Sequence, residues 1–88
     1  MNQLKAMQET LTQAQEHGMA DIGEDVLVAE CDYWHLQEMV EQAQNGEFSD
    51  AKLGRWLGWM QCSVVAAGIG LSLEDMKSIN RRYEQEGN

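Results

Sequence analysis

The sequence predicts an all-α domain in which four helical segments, joined by short connections, pack as antiparallel hairpins. Apolar residues recur at spacings of three and four in each segment, and no segment alternates with a period of two. Proline, which interrupts helices, is absent. Residues 1–88 are expected to form one domain, because a hydrophobic content of 43% supports a core. The core of so short a chain is thin, so we also expect a homodimer.

The first helical segment runs from about Asn2 to His17. Its apolar face is formed by Leu4, Met7, Leu11 and Ala14, which follow one another at steps of three and four. Gly18 is predicted to end the helix, because glycine adopts the left-handed conformation at a helix C-terminus without steric cost.

The second segment begins at about Asp21 or Asp25 and ends at Asn45, before Gly46. Its apolar stripe consists of Ile22, Val26, Ala29, Tyr33, Leu36, Val40 and Ala43. Steps of four and three alternate throughout this set, which keeps it within an arc of roughly 100° on a helix. Gly23 weakens the first turn, so the regular helix is expected to begin just after it.

The third segment is predicted to start at Ser49 and Asp50, whose side-chain oxygens can cap a helix. Its inward stripe consists of Leu53, Trp56, Leu57, Met60, Val64 and Ala67, and the glycines at 68 and 70 close it. Gly54 and Gly58 lie together on one side of this helix, next to the inward stripe. Because each glycine costs about 1 kcal/mol in helix propensity, we expect another helix backbone to approach closely there.

The fourth segment begins at Ser72, which has Asp75 three residues later, the spacing of a capping box. Met76, Ile79 and Tyr83 are predicted to face the core of the bundle. The polar residues 84–88 are expected to fray, as unsupported chain ends do.

The segment 53–71 holds two tryptophans, four glycines and a single charge, which raises the alternative of a membrane span. A spanning helix needs about 20 predominantly apolar residues. The longest uncharged run, from Trp56 to Leu73, includes Gln61, Ser63, Ser72 and three glycines, and its basic flank is weak. The favoured interpretation is a packed helix and no membrane role.

Both middle helices carry more apolar residues than one buried face requires. Trp59 lies on the opposite side of the third helix from Leu53, with Arg55 nearby, and Val28, Cys31, His35 and Met39 form a second line on helix two. Exposed Trp, Met and Arg are the residue types enriched at interface centres. The sequence therefore predicts a partner-binding surface made of Trp59, Arg55, His35, Met39 and Val28. Complete burial of these residues is the alternative.

Acidic residues dominate the first half of the chain. Residues 1–50 hold eleven acids and one base, whereas residues 51–88 hold five bases and four acids, and the net charge is −9. The first half should repel nucleic acid and attract basic surfaces. Asp25, Asp32, Glu38 and Glu41 are predicted to form an acidic surface on helix two. That surface either imitates nucleic-acid phosphates or serves only solubility.

Catalytic and metal-binding chemistry finds little support in the sequence. Cys31 and His35 are four residues apart, and Cys62 with His17 would complete a zinc ligand set, but structural zinc sites use closer pairs on turns. We interpret these side chains as packing residues and predict no metal, no cofactor and no enzymatic activity, since no nucleophile has a readable base partner. The basic cluster Lys77, Arg81 and Arg82 is expected to pair with acids of the first half or of a second subunit. Direct nucleic-acid binding is not predicted.

The blocks KLGRWLGWMQ (Lys52 to Gln61) and GIGLSLEDMKSINRRY (Gly68 to Tyr83) resemble small early-region proteins of enteric bacteriophages and prophages. The resemblance implies a phage accessory protein in the bacterial cytoplasm that modulates a host or phage protein, and it brings no activity or site residues with it. Residues 1–10 contain no apolar export signal, which agrees with a cytoplasmic location. The predicted function is a non-enzymatic protein-interaction module. The alternative is a nucleic-acid mimic that inhibits a DNA-processing or defence enzyme.

Overall fold

The computed structural model describes residues 1–22 and 28–86, and within these ranges it contains four α-helices and no strand. The helices are α1 (Gln3–Glu16), α2 (Tyr33–Asn45), α3 (Asp50–Ala66) and α4 (Leu73–Tyr83). Between α1 and α2, the described residues include the single-turn 3-10 helices Met19–Asp21 and Ala29–Cys31. All four α-helices pack together, so the predicted all-α class is confirmed.

The N-terminal helix α1 is the centre of the bundle. It packs against α2, α3 and α4, whereas α2 and α3 touch each other only sparsely. Ala6, Thr10 and Ala14 are fully buried at steps of four along α1, and Met7 is buried beside them. Because these side chains are mostly small, neighbouring helices can approach α1 from more than one side. The buried side of α1 is therefore wider than the predicted stripe, whose Leu4 and Leu11 are only partly buried.

The hydrophobic core is rich in methionine and includes residues from all four α-helices. Its members are Ala6, Met7, Ala14, Met19, Tyr33, Leu36, Met39, Val40, Ala43, Leu53, Leu57, Met60, Val64, Leu71, Met76 and Ile79. The predicted inward residues of α2 from Tyr33 onward and of α4 up to Ile79 belong to this set. Burying one such large side chain contributes about 1.5–3 kcal/mol, so the shared core is the main source of stability.

A polar cluster crosses the core and joins three helices. Gln61 donates its side-chain N–H to Thr10 Oγ1 at 3.3 Å and to Asn80 Oδ1 at 2.8 Å. The Asn80 amide donates back to Gln61 Oε1 at 3.1 Å, and the Thr10 hydroxyl donates to the Ala6 carbonyl at 2.7 Å. Because these buried polar groups satisfy one another, the cluster fixes the register of α1, α3 and α4 without leaving a desolvated donor.

The predicted stop of α1 and the predicted starts of α3 and α4 are confirmed. Gly18 has a φ of 81° after α1, and Ser49 accepts a hydrogen bond from the Lys52 N–H at the start of α3. Before α4, the Asp75 N–H donates to Ser72 Oγ and the Ser72 N–H donates to Asp75 Oδ2, which is a complete capping box. Helix α4 ends at Tyr83, and residues 84–86 continue as a turn.

The predicted beginning of helix two is wrong. Asp32 is the N-cap of α2, with extended backbone and a carboxylate that accepts the His35 N–H at 2.7 Å. Val28 is also extended, and Ala29–Cys31 form the separate 3-10 turn. The Asp32 carboxylate accepts the His35 N–H, which in a longer helix would bond to a backbone carbonyl of the preceding turn. The helix therefore starts after Asp32, although the apolar spacing of three and four continues before it. Val26 lies outside the described residues.

The expected close approach of a helix to the α3 glycines is also wrong. A Cβ added at Gly58 would meet nothing within 4 Å, and one at Gly54 would meet the Gln3 side chain at 3.3 Å and no backbone. Both glycines are exposed and have ordinary negative φ values. Within one copy of the chain, the propensity cost of Gly58 is therefore not offset by packing. No helix within the described ranges is long and apolar enough to cross a bilayer.

The capping box makes stability depend on pH. Hydrogen bonds from the Ser72 backbone and hydroxyl, with a smaller effect of nearby His17, lower the pKa of Asp75. A lowered folded-state pKa stabilises the fold above the unfolded-state pKa, and this stabilisation is lost as the pH falls through the lowered value. We expect Asp75→Asn to reduce the free energy of unfolding at neutral pH and to have little effect in strong acid. Denaturant unfolding across this pH range measures it, with Glu74→Gln as the control in the same helical turn.

Replacing Gly58 should stabilise the isolated chain. Gly58→Ala is expected to raise the free energy of unfolding by about 0.5–1 kcal/mol, because alanine restricts the unfolded chain and its methyl group meets open space. Gly54→Ala is the matched control, and its gain should be smaller because its methyl group presses on Gln3. Denaturant melts at low protein concentration measure both. A loss of stability in Gly58→Ala would contradict the open space.

Candidate protein-docking groove

A surface groove with a volume of about 480 Å³ lies between α2 and α3. It is lined by Glu30, His35, Glu38, Met39, Gln42, Arg55, Trp56 and Trp59. The four α2 residues are spaced by three, one and three positions and share one helix face, and the three α3 residues form the facing wall. This volume falls within the range of about 300–1,000 Å³ that is typical of ligand-binding clefts.

The position of α1 explains why the groove exists. Because α2 and α3 both pack on α1 and make few contacts with each other, the space between them is not filled by their own side chains. The turn Ala29–Cys31 contacts both helices and contributes Glu30 to the lining. Thus the same arrangement that buries the core leaves a concave surface next to it.

Trp59 is the most exposed aromatic residue of the groove, with 46% of its surface accessible. Its Nε1–H donates to the Glu30 backbone carbonyl at 3.0 Å, which ties α3 to the turn before α2. The polar edge of the indole is thereby satisfied while much of its apolar surface faces solvent. A fixed, partly exposed tryptophan is a low-entropy contact residue for a partner.

Trp56 links the groove to an aromatic cluster at the start of α3. Its ring packs edge-on against Phe48 with centroids 4.9 Å apart, and Lys52 Nζ lies 4.0 Å from the Phe48 centroid and 5.1 Å from that of Trp56. A side chain at Gly46 would approach the Phe48 ring to 2.8 Å, so glycine is needed there for the ring to fold back. The cluster supports one wall of the groove and shows a cation resting on its aromatic rings.

The charged side chains of the groove have no ion-pair partner in the described part of the chain. The ion pairs found there are Lys5–Glu86 at 2.9 Å, Lys77–Glu74 at 3.4 Å and Arg82–Glu9. None of them involves Glu30, Glu38 or Arg55. A second concavity of about 490 Å³ shares Glu30 and Glu38 with the groove and adds Asp32 and Glu41. One side of the groove is therefore strongly negative.

Most of the predicted partner-binding residues come together in this groove. Trp59, Arg55, His35 and Met39 all line it, but Met39 is only 7% exposed and forms part of its buried floor, which corrects the expectation of an exposed side chain. Val28 is 44% exposed and lies outside the lining, before the turn. Of the predicted acidic surface, Asp32, Glu38 and Glu41 surround the second concavity, and Asp25 lies outside the described residues.

Several residues of the groove and of the second concavity were not predicted from the sequence, among them Trp56, Trp34 and Glu30. The sequence predicts Trp56 in the core stripe, yet it is half-buried and lines the groove. Trp34 is 59% exposed and packs edge-on against Tyr33 with centroids 5.2 Å apart. Its position next to the buried Tyr33, on the polar side of α2, was the signal that could have identified it. Glu30 lines the groove from a turn whose place no periodicity indicates.

The proposed common helix face of Cys31 and His35 does not exist, because Cys31 belongs to the 3-10 turn and His35 to α2. In residues 1–22 and 28–86, no three His, Cys, Asp or Glu side chains converge as metal ligands would. Both cysteines are free, and Cys62 is exposed on α3. His17 is exposed and places its Nδ1 3.1 Å from the Ile69 carbonyl, so it joins α1 to the α3–α4 connection.

No family model matches this chain, and no curated protein or solved structure is significantly similar to it.

The Trp59 hydrogen bond should hold the turn before α2 in place. Trp59→Phe keeps an aromatic ring but removes the indole N–H, so we expect faster amide exchange at Cys31 and Asp32, whose N–H groups bond within this turn. The free energy of unfolding should fall by only about 0.5–1 kcal/mol, as for one partly exposed hydrogen bond. Hydrogen exchange and denaturant melts measure the two effects. Trp34→Phe is the control, and equal exchange in both variants would contradict this role.

Proposed function

We propose that this chain is a non-enzymatic protein-interaction module and that the groove between α2 and α3 is its docking surface. The observation that supports this most directly is the meeting of Trp59, Arg55 and Trp56 around one apolar-floored concavity. Tryptophan and arginine are the residues most enriched among interface hot spots, and methionine adapts its shape to a bound side chain.

The composition of the groove supports a protein segment as its ligand. Met39 and the two tryptophans offer apolar surface, while Glu30, Glu38 and Gln42 offer polar atoms at the edges. An apolar centre with a polar rim is the usual anatomy of a protein interface. We further propose, from the resemblance of the segments 52–61 and 68–83, that the module belongs to a phage or prophage and acts on a host or phage protein in the bacterial cytoplasm.

A second candidate function is mimicry of nucleic-acid phosphates. It is favoured by the grouping of Asp32, Glu38 and Glu41 with Glu30 around the second concavity. Such a surface would enter the basic groove of a DNA-processing or defence enzyme, and its binding would weaken steeply with salt. We rank it second, because Trp56, Trp59 and the buried Met39 belong to the neighbouring groove.

Partner capture should depend on Trp59 and not on exposed tryptophan in general. We expect Trp59→Ala to reduce enrichment of the partner from a bacterial lysate about 30-fold, as loss of a hot-spot residue does. Trp34→Ala is the matched control for docking in the groove, since it removes a comparably exposed indole that lines the second concavity and not the groove. Its capture should equal that of the unaltered chain. Tagged proteins with verified helical content and quantitative mass spectrometry make the comparison.

Two outcomes would favour other conclusions. Equal enrichment by the Trp59→Ala variant and the unaltered chain would contradict docking in the groove. Capture that survives Trp59→Ala, but disappears with added salt and with Asp32→Asn, Glu38→Gln and Glu41→Gln combined, would favour the phosphate mimic. Asparagine can still cap α2 at position 32, so this combined variant keeps the helix start.

A further inference from the structure

The exposed face of α4 is apolar and basic, whereas one side of the groove is acidic. Leu73, Lys77 and Arg81 follow one another at steps of four and therefore lie along one side of α4. All three are exposed, and Leu73 is 60% accessible, the highest value among the large hydrophobic residues described. The buried side of the same helix is made of Met76 and Ile79.

The two α4 cations are only weakly engaged within the chain. Lys77 is 3.4 Å from Glu74 on its own helix, with both side chains more than half exposed, and such pairs contribute little. Arg81 donates to Ser78 on its own helix at 3.1 Å. Arg82, in contrast, pairs with Glu9, so it belongs to the packing of α4 on α1.

We propose that the groove receives the exposed face of α4 from a second copy of this chain. Leu73 would fill the apolar space beside Trp59, and Lys77 and Arg81 would face Glu30 and Glu38. The inference rests on the proposed docking function, because it names an occupant of the same groove. A partner protein would then have to displace α4 of the second copy.

Charge complementarity and the exposed indole of Trp59 both support this occupant. The negative side of the groove and the basic side of α4 are complementary, and each lacks a tertiary ion pair in the described ranges. A lysine on this chain already rests on two aromatic rings, and Trp59 offers an arginine or lysine stem the same kind of contact. The contact joins the groove of one copy to the α4 face of another, so every copy carries both a groove and an α4 face.

Because the surfaces are unlike, charge reversal provides a sharp test. Glu38→Arg and Arg81→Glu should each weaken self-association about tenfold or more, since each places like charges together. An equimolar mixture of the two variants should associate again, because every groove then meets an α4 of opposite charge. The double variant should also recover. Sedimentation velocity over a wide concentration range at low salt gives the dissociation constants.

The net-charge control for Glu38→Arg is Glu16→Arg, which replaces an acid by a base at the exposed end of α1, outside both surfaces. Its self-association should equal that of the unaltered chain. Circular dichroism of every variant verifies the fold, and surface changes of this kind are expected to leave it intact. Added salt should weaken the assembly, because the facing charges are screened.

Several results would overturn the inference. The unaltered chain could remain a monomer at every concentration, or it could associate with equal strength in both charge variants. Failure of a mixture of the two variants to associate would also overturn the inference. A monomeric chain whose partner capture still requires Trp59 would lose only this inference, whereas a self-associating chain without Trp59-dependent capture would lose only the proposed function.

Discussion

The packing of three helices around α1 is the constraint on which the rest of the structure depends. Ala6, Thr10 and Ala14 keep that helix slender along its buried side, so α2, α3 and α4 can all reach it. The Gln61 amide donates hydrogen bonds to Thr10 and Asn80 and so fixes the register of α1, α3 and α4. Direct contact between α2 and α3 is sparse as a result, and the groove occupies the space that remains.

The groove combines features that a solitary folding unit would not need. An indole is held by its polar edge while much of its ring faces solvent, and the acids beside it form no ion pair in the described ranges. Folding alone would favour covering the indole, since apolar burial stabilises the native state. The exposed basic side of α4 complements the acidic side of the groove, and the two surfaces together support the proposed self-association.

Much of the fold could be predicted because its local signals agree with its tertiary packing. The start of α3 follows from the capping oxygen of Ser49. Once the segment is known to be helical, the helical wheel places Trp59 on the opposite side from Leu53. Helix two was harder, because apolar spacing continues through Ala29 while Asp32 caps the helix later. Small residues such as Ala6 and Thr10 hardly register in an apolar pattern, so the central role of α1 was not foreseen. The burial of Met39 depends on how far α2 and α3 stand apart, which no single helix encodes.

The floor of the groove has one more consequence. Met39 is unbranched and has three rotatable side-chain bonds, so it can change shape without moving the backbone of α2. A leucine or isoleucine there would present a fixed contour and admit one kind of anchor. The thioether instead makes the cleft tolerant, and a binding partner could exchange its anchoring residue for one of different shape while this chain stays unchanged.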